Sequence, residues 1–259
     1  VVDSGSKDGT QDIAKKFSDK FLLIDKDDFT FGYAINYGIK NSNGELICIL
    51  SAHTEPLGNH WLSELVSGFN SENLKNKNIA LSYGKQLGCS SSNFSEIMDL
   101  KSAFGNHELL QSKPKYFCNN ANSMIRKDLW VSHPFNESLT GLEDIEWSKH
   151  WMDQGYQIIY KPKASIIHIH NENGKQIRNR FWRESIAARS IGVLPLRKIL
   201  FQIPNQFFLL IRDLFFYYKI KPIGQLNDIF IYRFNRLAGT LKSLKNEKFN
   251  IKDFSDNYS

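Results

Sequence analysis

Four stretches of the chain hold side chains whose type and spacing could do chemistry. Ser51-Ala52-His53-Thr54-Glu55-Pro56 follows an apolar run, and His53 or Glu55 there could ligate a divalent metal through nitrogen or oxygen. Glu143 and Asp144 are adjacent carboxylates at the start of a helical pattern. An ionised Asp144 facing a cleft would suit a general base, while the helix dipole alone also accounts for acids at that place. His168-Ile169-His170 alternates along an extended run, so both imidazoles project from one face, as they do in many metal sites. Asp3-Ser4-Gly5-Ser6-Lys7-Asp8-Gly9-Thr10 is a polar turn between a strand and a helix, where free backbone N–H groups attract polar and anionic ligands. Each stretch also has a bland reading: an ordinary turn, a hydrogen-bonded loop histidine, a capped helix.

These side chains need elements to hold them. Val1-Val2 reads as the end of a strand, and 10–17 as a helix capped by Thr10 or Asp8. A short strand at 21–24 and a helix over 33–40 follow, the helix stopping near Asn43-Gly44. The run 45–50 is apolar on both faces, like a central parallel strand. A helix over 61–69 and strands at 79–83, 157–160 and 165–170 are predicted, with a helix over 143–154 that Gly155 stops. Such alternation argues for an α/β layered sheet. Ligands collect beyond the carboxyl ends of strands in such sheets, which puts the 51–56 loop where chemistry is expected.

Composition excludes several classes. Hydrophobic residues make up 41% and charged residues 23% of 259, which is ordinary for a globular chain and unlike a collagen-like or wholly disordered one. No run of about 18 uncharged apolar residues is present, so no spanning helix is expected, and the first residues lack the pattern of a signal peptide. Cys48, Cys89 and Cys118 suggest buried thiols in a reducing compartment. The net charge of +6 is uneven: from Gln176 onward 15 basic residues face 6 acidic ones, while the rest of the chain is slightly acidic. Such a tail could meet nucleic acid, an anionic membrane or a phosphorylated ligand. Within it, 207–218 is densely aromatic but broken by Arg212-Asp213, which fits either a helix buried against the main domain or one lying in a membrane interface. Residues 246–259 read as a frayed end.

Together the stretches resemble family 2 glycosyltransferases with the GT-A fold, in the rhamnosyltransferase-like branch. The resemblance rests on Val1 to Thr10, Phe31-Gly32-Tyr33-Ala34-Ile35-Asn36-Tyr37-Gly38, Asn43-Gly44-Glu45, the 51–56 loop with Trp61-Leu62, the 119–126 run, Glu143-Asp144-Ile145-Glu146-Trp147, and Gly155 to Ala164 leading into His168 and His170. It implies a mixed, mainly parallel nucleotide-sugar-binding sheet flanked by helices over 1–175, with the first strand and helix missing. A basic, aromatic-rich helical appendage would occupy 176–259.

The resemblance also implies roles. Asp3 would contact the nucleoside, with Ser4, Gly5 and Ser6 shaping that pocket. Asp144 would deprotonate the acceptor hydroxyl in a single inverting displacement, Glu143 would be a helix-start carboxylate or touch the acceptor, and Trp147 would be a core residue or a platform for the acceptor sugar. Ser51-Ala52-His53 stands where relatives carry Asp-x-Asp, so Ser51 and Ala52 would border the donor. His53 would hold Mn²⁺ or Mg²⁺ with His168 or His170, an imidazole-rich site suiting Mn²⁺ better. Arg178, Arg180 and Arg183 would clamp the leaving diphosphate or form a solvated basic face. The implied partners are a nucleotide-sugar donor, a glycan or lipid-linked acceptor and an anionic membrane surface, with no nucleic acid. The implied place is cytoplasmic, peripheral on the inner face of the cytoplasmic membrane. A non-catalytic GT-A-like module that binds nucleotide-sugar or glycan is the alternative.

Overall fold

A computed structural model describes residues 1–70, 78–220 and 226–245. The chain opens with β1 (Val2–Asp3), α1 (Thr10–Phe17) and β2 (Leu22–Leu23), and the two strands pair in parallel. After a 3-10 turn come α2 (Phe31–Lys40), β3 (Leu46–Leu50), β4 (Thr54–Pro56), α3 (Trp61–Asn70), β5 (Ile79–Leu87) and α4 (Phe94–Ala103). Next are β6 (Leu109–Gln111), β7 (Asn122–Arg126), α5 (Lys127–Ser132), α6 (Glu143–Asp153) and β8 (Gln157–His168). Three helices finish the described chain: α7 (Gly174–Ser190), α8 (Leu196–Ile220) and α9 (Leu226–Lys242).

The local signals explain the boundaries. Gly9 enters α1 with φ 90°, a left-handed turn that suits glycine, and the Asp8 carboxylate accepts the Thr10 N–H. Thr30 caps α2 by accepting the Tyr33 N–H at 3.0 Å, and Asn173 with Gln176 closes a capping box on α7.

The fold is α/β, a mixed sheet flanked by helices with further helices at the C-terminal end. Its six-stranded sheet has the order β3-β7-β5-β8-β4, with β6 also on β8. Among the described residues, parallel pairing is confined to β1–β2 and β5–β8, and the other pairs are antiparallel, which corrects the expected preponderance of parallel strands. β3 is not central but ends this order. It is apolar on both faces because Ile47 and Ile49 join the main core while Leu46 and Cys48 pack with α3 on the other side.

The two strands expected at 157–160 and 165–170 are one, β8. Its register against β5 jumps from Lys161 opposite Gly84 to Ile166 opposite Gln86, so the segment with Pro162 bulges out of the ladder. The bulge presses on Gly84, where a Cβ would lie 1.9 Å from the Ala164 carbonyl oxygen. The Asn122 side chain ties it down, donating to the same carbonyl at 2.8 Å.

The main core gathers Ile39, Leu81, Ile125, Phe135, Trp147, Met152 and Ile158 between the sheet and helices α2 and α6. At the C-terminal end α9 crosses α7 closely, since a Cβ on Gly239 would sit 2.2 Å from the Arg178 carbonyl oxygen. A buried charge cluster joins α9 and α8 to α4: Arg233 donates to Asp213 at 2.8 Å and to Asp99 at 2.8 Å, and Arg212 and Arg236 also meet Asp99. Two expectations change here. α8 is long and apolar enough to cross a membrane by length and composition, with a mean hydropathy of 1.3 over 18 residues. Of the three free thiols only Cys118 is fully buried. The Ser91 and Ser92 hydroxyls pull the Cys89 thiol down to about 7. The frayed end expected at 246–259 lies outside the described residues.

Candidate active site

A cavity of about 760 Å³ opens between the edge of the sheet and helices α4, α6, α7 and α9. The loop after β3 supplies Ser51 and His53, and β8 with the residues after it supplies His168 and His170. The start of α6 contributes Glu143 and Asp144, and α7 contributes Arg180 and Arg183.

The three imidazoles meet because β4 pairs antiparallel with β8, setting Thr54 opposite His168. The Ile169 N–H then donates to the His53 carbonyl at 3.0 Å and continues the pairing past the strand end. Ring centroids are 4.7 Å apart for His53 and His168, 5.3 Å for His53 and His170, and 4.1 Å for His168 and His170. One nitrogen from each lies within 4.8 Å of the others.

Neighbours fix the tautomers. His168 Nδ1 lies 2.7 Å from Gln86 Oε1, an acceptor, so Nδ1 carries the proton and Nε2 keeps its lone pair. That Nε2 is buried and has no hydrogen-bond partner among the described residues. His170 Nδ1 lies 2.7 Å from Glu96 Oε1 in the same arrangement. Burial alone would raise the Glu96 carboxyl, but its bond to His170 and the Arg180 charge outweigh that and hold it ionised. Burial, with the His170 and Arg180 charges, lowers His53 to about 4 although part of its ring is open to solvent, and His168 falls too. This favours neutral rings at His53 and His168, beside His170, with the cluster backed by an amide and a carboxylate. A divalent cation fits this donor set.

The acid pair follows directly on a strained residue. Leu142, at the N-cap of α6, has φ 60° and ψ 26°, a left-handed conformation costly for a leucine. Asp144 accepts the Asn120 N–H at 3.0 Å and the Ile145 N–H at 2.7 Å, whereas Glu143 has the Asn120 amide at 3.3 Å. Burial pushes both carboxyls up, and the Asp144 charge pushes Glu143 further. Two backbone donors favour the ionised form of Asp144, so the pair's remaining proton resides on Glu143.

The structure separates other expected site residues from the cavity. Asp3, Ser4, Gly5 and Ser6 do not line it: Asp3 Oδ1 is engaged in closing its own turn, accepting from Gly5, Ser6 and Gln11. Ala52 and Glu55 are exposed outside it. Arg178 is exposed on the outer side of α7, one residue off the helical face that carries Ile177 and Arg180 inward. Trp147 is fully buried in the main core, its Nε1 donating to the His133 carbonyl, so it cannot touch an acceptor. Arg180 lines the cavity with its guanidinium on Glu96 and Glu172, and Arg183 lies over the Phe31 ring. Sequence reasoning missed Gln86 and Glu96, which carry no local signal, being an ordinary strand glutamine and a first-turn helix acid.

Residues 1–128 match the family model of glycosyl transferase family 2. The chain is 24% identical over 192 residues to the O-antigen chain rhamnosyltransferase WbaN of Salmonella anatum and 26% identical over 189 residues to the glycosyltransferase AglE of Haloferax volcanii. Each match covers 70% of this chain, which spans only 59% of the relative's length. Among solved structures, the mannosyltransferase PcManGT from Pyrobaculum calidifontis, in complex with GDP-Man and Mn²⁺, superposes with a TM-score of 0.59. That superposition covers 95% of this chain and 77% of the other at 13% identity, a likeness of fold.

Proposed function

We propose that this chain, whose residues 1–128 match the family model of glycosyl transferase family 2, moves a hexosyl or deoxyhexosyl group from a nucleotide-sugar to a glycan or lipid-linked acceptor, with inversion. The observation that carries this reading is the Glu143–Asp144 pair facing the same cavity as the three imidazoles. The cavity volume suits a ligand of nucleotide-sugar size. Asp144 takes the proton of the acceptor hydroxyl as its oxygen bonds to the anomeric carbon, and the bond to the diphosphate breaks on the opposite side. Neutral Glu143 beside it spares Asp144 a second adjacent negative charge. His53, His168 and His170 would hold a divalent cation, Mn²⁺ before Mg²⁺, which when bound supplies positive charge for the diphosphate. Gln86 and Glu96 orient two of those rings. Arg180 and Arg183 complete the charged wall.

The O-antigen chain rhamnosyltransferase among the relatives supports surface-polysaccharide synthesis as the setting, which we place at the cytoplasmic face of a membrane. Residues 1–175 would form the transferase domain and 176–259 its helical appendage. The test is product formation from a panel of nucleotide-sugars with Mn²⁺ or Mg²⁺. Asp144→Asn should lower turnover about 10²–10⁴-fold with donor affinity retained. Equal turnover would remove Asp144 from the reaction. Donor binding by the native chain with no product from any donor would select the binding-module reading, which the missing Asp-x-Asp carboxylates at Ser51-Ala52-His53 favour.

A further inference from the structure

Helix α8 keeps polar side chains inside and apolar ones outside. Its buried positions are Ile199, Gln206, Leu210 and Asp213, and Asp213 is fully enclosed by its pairing with Arg233. Its outer face is apolar: Leu200, Phe201, Phe207, Phe208, Ile211 and Phe215 are each at least half exposed. At 100° per residue these six fall within about one third of the helix circumference, a continuous ridge. From 199 to 218 every exposed residue is apolar except Tyr218 at the end. In water such a face is a liability unless something covers it.

Charge indicates what does. The exposed cations of the helix stand at its two ends, Arg197 and Lys198 in the first turn and Lys219 in the last. Cations in a first turn oppose the helix dipole, so Arg197 and Lys198 are not there to stabilise the helix. An apolar ridge framed by cations, on a region whose residues from 176 onward carry 15 basic and 6 acidic side chains, complements an anionic lipid surface. A second copy of the chain fits less well, because protein interfaces carry a hydrogen bond for about every 100–200 Å² and this ridge offers almost no donor or acceptor. A spanning orientation would require Asp213 to leave Arg233 and enter hydrocarbon.

We propose that α8 lies in the plane of an anionic phospholipid surface, inserting its Phe207, Phe208 and Phe215 side and reaching lipid headgroups with Arg197, Lys198 and Lys219. Because α8 packs on α4 and α9, which line the cavity, docking would hold the candidate active site at the membrane surface. This rests on the exposed face alone and stands apart from the sugar-transfer reading.

The test is sedimentation of the whole chain with phosphatidylglycerol-containing vesicles and with pure phosphatidylcholine vesicles at low salt. The native protein should pellet with the anionic vesicles and be released by alkaline carbonate. The triple variant Phe207→Ser, Phe208→Ser, Phe215→Ser should bind at least tenfold more weakly while its circular dichroism and its sugar transfer in solution stay native. Arg197→Glu with Lys198→Glu should weaken binding to anionic vesicles by about fivefold or more per cation, because each basic residue near such a surface contributes on the order of that factor. No pelleting, with a concentration-dependent dimer that the triple variant abolishes, would assign the ridge to a second copy and overturn the proposal. Resistance to carbonate would overturn it in favour of a spanning helix. Failed vesicle binding with sugar transfer intact would remove the docking surface only.

Discussion

Replacing Glu143 by glutamine should change the pH dependence of stability in a direction the site geometry dictates. The Glu143 carboxyl is 6% exposed, has a long contact to the Asn120 amide, and stands beside Asp144, which has two backbone donors. Its folded-state titration is therefore displaced upward from the ordinary 4.5 into the neutral range. In that window the folded protein holds a proton that the unfolded chain has released. Stability from this group is fully present below about pH 4.5 and drains away as pH rises, at up to about 1.4 kcal/mol per pH unit. Glutamine is nearly isosteric with the protonated acid and cannot titrate. The stability of Glu143→Gln relative to the native protein should thus climb by roughly 2 kcal/mol between pH 5.5 and 7. Urea unfolding at half-unit pH steps reads the difference directly, with Asp144→Asn in parallel to divide the effect within the pair. Parallel profiles for native protein and Glu143→Gln would refute the placement of the shared proton on Glu143. The same variant should keep the acid limb of the activity profile, because Asp144 remains to be ionised.

Gln86→Ala should weaken Mn²⁺ binding about 10–100-fold, since the amide that fixes the His168 tautomer is lost; unchanged affinity by calorimetry would exclude His168 Nε2 as a ligand. Asp213→Ala should cost on the order of 3–5 kcal/mol, because Arg233 is left buried without its carboxylate, and thermal unfolding with a loss under about 1 kcal/mol would show the cluster to be peripheral.

Local pattern made part of the site legible. Residue spacing placed Glu143 and Asp144 at the head of α6, put His168 and His170 on one face, and set His53 just beyond β3. These follow from backbone geometry within a few residues, which periodicity and turn residues report directly. The alternation of strands and helices likewise revealed the layered α/β class, although the strand directions came out differently because pairing partners are chosen across the whole sheet.

What tertiary structure alone decided lies between residues far apart in the chain. Gln86 reaches His168 across 82 positions and Glu96 reaches His170 across 74, and only the β5–β8 pairing and the docking of α4 bring them together. Trp147 and Arg178 had the right chemistry for a sugar site, but helix rotation buried one in the core and turned the other outward. The composition of α8 was plain, yet which of its faces meets α4 and α9 depends on the Asp213–Arg233–Asp99 cluster. A sequence fixes what each side chain can do, and packing fixes which partners it meets and which surface is left to solvent.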